Sequence, residues 1–326
     1  MAYRVKINEP LAKSIKRVVV EQVELAEQRL GEQSGEPEAV HDVRKNIKRV
    51  RALLRLIRPA IGEAAYHREN VRFREMGRLL AGPRDLDVMN QTVAALEADC
   101  ELPVRRVVRK LKACMATVRQ TAEANGLHEG VDKVREMLRE TGLEFNRIKI
   151  PNGDFEVIGA GLTKCYRSCR KAFATAYASP SDDAIHEWRK TVQHHWRQMA
   201  LLSRAWPEEM LARAHAAREL SEILGLDHDL AMLKTYVHSD EEHRLAAKER
   251  EQVERLCCSR QGKLRAKARP RGERLLAESP TRFTARVACY WRAATDPGFA
   301  DDNEPAAPRH KASGHREAEV RRRRTG

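Results

Sequence analysis

The segment His41-Asp42-Val43-Arg44-Lys45 returns as His186-Glu187-Trp188-Arg189-Lys190, 145 positions further along the chain. Two more matches follow in the same register. Arg74-Glu75-Met76 is answered by Arg218-Glu219-Leu220, and Arg84-Asp85-Leu86 by His228-Asp229-Leu230. The distance from the opening His to the closing Asp is 44 residues in one copy and 43 in the other. Three motifs held in step over that length mark an internal duplication. The 326 residues therefore divide near residue 148 into a first half, 1–148, and a second half, 149–295, each long enough to bury a core.

Apolar residues recur every three or four positions and strict alternation is rare, which is the period of amphipathic helices. The expected class is all-α. Leu11, Ile15, Val18, Gln22 and Leu25 share one face of a first helix that ends near Gly31. Gly35 and Pro37 break the chain before the His41 helix, whose apolar stripe is Val43, Ile47, Val50, Leu54 and Ile57, and Pro59 is expected to end it. Trp188, Val192, His195, Met199 and Leu202 repeat the stripe, with Pro207 after it. Gly82-Pro83 and Gly225 are read as punctuation inside each copy, and residues 151–154 as the connector between halves. From 296 to 326 no stripe is found, and a disordered basic tail is expected there.

Placed at about 100° per residue, Arg44, Lys48, Arg51, Arg55 and Arg58 follow the apolar stripe one residue behind it, with His41 and Lys45 beyond them. That many like charges on one ribbon repel unless an anion offsets them, and the start of this helix supplies only Asp42. The second ribbon keeps His186, Arg189, Lys190, His194, Arg197 and Arg204, while Gln193 and Trp196 stand where the first has Lys48 and Arg51. The first half is therefore expected to bind an anion harder. Replacing Arg44, Lys48 and Arg51 by Ala should cost more affinity than replacing Arg189, Lys190 and Arg197, with folding kept. Arg74, Arg78, Arg84, Arg218 and His228 are further candidate contacts; His41 and His186 could serve equally as capping or packing residues.

The net charge of +14 belongs to the body, because residues 296–326 carry seven Lys or Arg against six Asp or Glu. Aromatic residues are only 5% of the chain, thin for a protein that grips single strands by stacking. A cationic ribbon with few aromatics reads phosphate and ignores bases, which favours a polyanion without bases, although nonspecific nucleic-acid binding stays open. Seven scattered Cys without CxxC pairs point to reduced thiols in a cytoplasm, and no apolar run reaches the length of a signal peptide or a membrane span. His41-Asp42 and His228-Asp229 spell the pair used by metal-dependent phosphohydrolases. Neither pair survives in the other copy, and the surroundings are cationic where a divalent metal needs carboxylates. No metal, cofactor or catalytic residue is expected.

The His-x-x-Arg-Lys opening of each half, Leu80 to Val88, Leu224 to Leu230, the closing Arg274 to Phe283 with Tyr290-Trp291, and the opening Asn8-Glu9-Pro10-Leu11 together resemble the CHAD domain, the conserved histidine alpha-helical domain. The likeness covers residues 1 to about 295. It implies two four-helix bundles with long antiparallel helices, related by a pseudo-twofold axis. It also implies basic surfaces that bind inorganic polyphosphate, and association with polyphosphate granules. The triphosphate-tunnel domain often found beside this family has no counterpart strand here.

Overall fold

The computed structural model describes residues 3–32, 36–80, 82–102, 104–122, 127–239 and 245–296, and within helices the side chains of 37, 82–87, 99, 116–122, 127–129, 143 and 239 are left out. The expected tail from 297 onward lies outside the described residues. The described residues form helices α1 (Leu11–Glu32), α2 (Pro37–Leu79), α3 (Gly82–Asp99), α4 (Val104–Ala122), α5 (Leu127–Phe145), α6 (Glu156–Ala178), α7 (Asp182–Leu201), α8 (Pro207–Ser239), α9 (Ala247–Leu275) and α10 (Pro280–Thr295). A short 3₁₀ turn, Ser203–Ala205, links α7 to α8. The protein is all-α.

Two apolar clusters hold these helices, and neither stays on one side of residue 148. The larger joins α1, α2 and α5 to α6, α7, α10, the first half of α8 and the last part of α9. The smaller packs Val93 and Leu96 of α3 and Val108 and Leu111 of α4 on Leu233 and Val237 of α8 and Val253 of α9. The start of α8 thus shares a cluster with the end of α9, and its end with the start of α9, so the two run antiparallel. Trp188, Val192, His195, Met199 and Leu202 are all buried, as the stripe requires. Ser181 caps α7, its hydroxyl accepting the Ala184 N–H at 3.1 Å.

Two sequence breakpoints fall differently. The expected end at Pro59 comes three residues late: the backbone leaves helical geometry at Gly62, with φ 79° and ψ 164°, and a second helical stretch carries α2 on to Leu79. Pro59 has no N–H to return to the Arg55 carbonyl, and that oxygen accepts the Cys165 thiol of α6 instead, at 3.8 Å. Gly225 does not interrupt α8 either. Leu224 and Leu230, on either side of it, are buried in the two clusters, and packing of that kind outweighs the roughly 1 kcal/mol that glycine costs a helix interior.

Helices α2 and α7 carry the two basic ribbons, and they pack on each other and on α6. Gln198 of α7 donates to the Ala52 carbonyl of α2 at 3.2 Å. Gly161 of α6 sets the approach to α2: a Cβ there would stand 1.7 Å from the Leu56 carbonyl oxygen.

Candidate anion-binding site

The α2–α7 contact brings Arg51 and Arg55 of the first ribbon beside Lys190, His194 and Arg197 of the second. Burial first, and then the charges of Arg55 and Arg197, with Arg51 and Lys190 after them, hold His194 well below the ordinary histidine value. Those four cations come two from each helix, so the side chain of one copy sits among the arginines of the other. Arg51 is depressed by burial and then by Arg55 and Arg74. Arg197 is pushed down to about 10, by burial and then by Arg49 and Arg189, against the pull of Tyr3. A desolvated positive groove of this kind favours whatever brings negative charge into it.

At the other end of α7, the His186 and His228 rings lie with centroids 4.2 Å apart and planes tilted by 31°. Burial leads in lowering both, with Lys190 and Arg189 next for His186, while His228 falls to about 4 with help from Arg189 and His186. Arg189 lies across Gly225 of α8, 3.8 Å from where a Cβ would stand. Asp229 of α8 acts on Arg189, and Glu187 and Asp183 act on His186, while two further carboxylates are engaged elsewhere. Asp182 binds Lys234 at 2.7 Å and accepts from Gln261 at 3.1 Å, and Asp227 binds Arg265 at 2.7 Å.

Hydrogen bonding separates the candidate residues into two groups. Arg55 Nε, His186 Nδ1, Arg189 Nε, His194 Nδ1 and Arg197 Nε are all buried without a hydrogen-bond partner among the described residues. Native structures leave few such atoms, and these five are an unmet demand for a partner: an acceptor for each arginine Nε, and a donor or acceptor, by tautomer, for each neutral ring nitrogen. Others are tied within the protein. Arg44 Nη1 donates to the Leu80 carbonyl at 2.6 Å, Arg51 Nε to Asn70 at 3.2 Å, and Arg197 Nη1 to the Gln193 carbonyl at 2.7 Å. Removing Arg44, Arg51 or Arg197 therefore also removes a hydrogen bond within the protein, a cost in stability that the ribbon pattern alone does not show.

A second group faces solvent in local ion pairs: Lys45 with Asp42, Lys190 with Glu187, Arg74 and Arg78 with Glu75, and Arg218 with Glu222. Exposed pairs of this type contribute roughly 0–1 kcal/mol, so a denser anion can displace the carboxylates. His41 is half-buried and Lys48 exposed. The Arg84 side chain lies outside the described residues. Asp42 is held by Lys45 at 2.9 Å and Arg29 at 3.9 Å. Among the described residues no group of three His, Cys, Asp or Glu is placed to hold a metal.

The CHAD domain profile matches residues 19–238. The chain belongs to the CHAD domain family. Its CHAD match spans α2, α7 and nearly all of α8, the helices that build the groove, and stops before α9 and α10. Among solved structures the fold resembles that of PptA from Streptomyces chartreusis, at a TM-score of 0.57 and 13% identity, with 83% of this chain and 100% of that chain covered. No curated protein matches the chain. No helix among the described residues is long and apolar enough to cross a membrane. Sequence reading placed His194 on the second ribbon without counting it as a contact, and missed Arg49 and Lys164 altogether. Helical periodicity sets Arg49 about 200° round α2 from Arg51, on the side of Gln22 and Tyr3, so spacing could not have raised it, and nothing in one sequence says that α6 lies beside α2.

Proposed function

We propose that this CHAD protein binds inorganic polyphosphate in the α2–α7 groove without turning it over, and that it associates with polyphosphate granules. The observation that carries the reading is the set of five buried, unpartnered nitrogen atoms on arginines and histidines drawn from both copies into one groove. A linear chain of phosphates supplies an acceptor every few ångströms and one charge per residue, which matches a row of donors spaced along α7. Family membership supports the same substrate class. The family unit extends over residues 1–295 on this reading, because Phe283, Val287 and Trp291 of α10 complete the larger apolar cluster. On this reading Arg44, Arg51, Arg55, Arg189 and Arg197 form the groove floor, His186, His194 and His228 are rings neutral when the site is empty and charged more readily when it fills, and Lys45, Lys48, Lys190, Arg74, Arg78 and Arg218 form its rim.

The test is calorimetric titration with long-chain polyphosphate in competition with duplex and single-stranded nucleic acid. Polyphosphate should win at equal phosphate concentration, and Arg55→Ala and Arg189→Ala should each weaken it. Nucleic acid that displaces polyphosphate, or phosphate release that depends on added Mg²⁺, would overturn the reading.

A further inference from the structure

A cavity of about 90 Å³ opens where α2, α6 and α7 meet. Arg55, Arg58, Lys164, Ser168, Thr191 and His194 line it, and no carboxylate does. Two of these residues contribute Arg55 Nε and His194 Nδ1, which are buried without a partner. The room suits several waters or one phosphate group, and is too small for a nucleotide. At the rim stands Glu63, 69% exposed, whose carboxylate takes Arg58 Nε at 2.8 Å and Arg58 Nη2 at 2.6 Å. Lys164 lies close enough to help lower the Glu63 carboxyl, after Arg58. The protein thus keeps its own anion at the mouth of a cationic cavity.

We infer that this cavity takes one tetrahedral phosphate, free orthophosphate or the end group of a chain, and that the phosphate displaces Glu63 from Arg58. An interior phosphate of a chain carries one charge, whereas an end group or orthophosphate carries between one and two near neutrality. Three cations around a space for one group select the more highly charged species. For the chain-end source, the inference rests on the polyphosphate reading above.

The experiment uses the full chain, with Lys164→Ala and Glu63→Gln, both at exposed positions where folding is checked by melting. Three probes are titrated: orthophosphate, a short polyphosphate, and the same polyphosphate with both ends converted to phosphoramidates. Lys164→Ala should weaken binding of orthophosphate or of the uncapped chain by about fivefold, the scale of one exposed charge pair. Glu63→Gln should tighten it about as much, and neither should alter the capped chain. A response to orthophosphate assigns the free source; a response confined to the uncapped chain assigns the end group. No response from either substitution, or an equal response with the capped chain, overturns the inference. If long chains fail to bind but orthophosphate still responds, the functional reading fails and the cavity assignment stands.

Discussion

Arg44 and Arg189 hold the same place in the two copies and have different surroundings. Arg44 meets the carbonyl end of the first arm of the repeat, where α2 stops at Leu79 and the Leu80 oxygen needs a donor. Arg189 meets an α8 that does not stop, so it finds no helix end to satisfy and its Nε stays unpartnered. Arg44→Ala should therefore cost about 1–2 kcal/mol of stability, the worth of a charged hydrogen bond at a helix C-terminus, read as a lower melting temperature. Arg189→Ala should leave the melting temperature level or raise it, while polyphosphate affinity falls. His228 makes a second prediction. Its folded value, about 4, lies below the ordinary 6.5, so the unfolded chain takes up a proton first as pH drops. The stability this neutral ring contributes is complete above about pH 6.5 and is lost as pH falls towards 4. Melting of the wild type should decline over that window by on the order of 1–2 kcal/mol more than melting of His228→Gln. Polyphosphate works in the opposite sense by stabilising the charged rings, so binding at pH 6 should take up protons. Titrations in two buffers of different ionisation heat would measure that uptake.

At the scale of helices, the packing of α2 on α6 and α7 decides whether a groove exists. Gly161 permits the closest approach, with backbone against backbone at Leu56. Gly161→Ala has no flexible side chain to push aside, so it should destabilise the protein by about 3 kcal/mol or more and weaken anion binding by spreading the groove. Denaturant melts and titrations of the same variant would check both. The helices themselves were legible in the sequence: Val43, Ile47 and Val50, and then Trp188, Val192 and Met199, show their buried faces through spacing alone. The bends were not. Pro59 reads as a stop because its lost hydrogen bond is a local fact, whereas the Cys165 thiol that meets the released carbonyl comes from 110 residues away. The site was legible in the same measure. Spacing put the cations on one face of each helix, but which helices face each other is a matter of packing, so one shared groove looked like two separate faces. Arg44 and Arg51 looked free for ligand because neither Leu80 nor Asn70 is a neighbour in the helical wheel.

For the whole molecule, the body's positive charge should make binding strongly dependent on salt. If about six charged contacts form, affinity for polyphosphate should drop by orders of magnitude between about 50 and 200 mM salt, by analogy with nucleic acids. A slope near zero in a salt-titrated binding series would mean that the groove is not where the chain lies. The joining of both copies in the larger cluster means that the two ribbons rise and fall together: the chain cannot lose one half and keep a working other half. The unmet donors along α7 reach further than affinity. With these five nitrogens of α2 and α7 unanswered the fold is less stable empty than filled, so a polyanion that answers them also protects the native state from unfolding. If such a polyanion binds, the lifetime of this protein against proteases should lengthen as the polyanion's concentration rises.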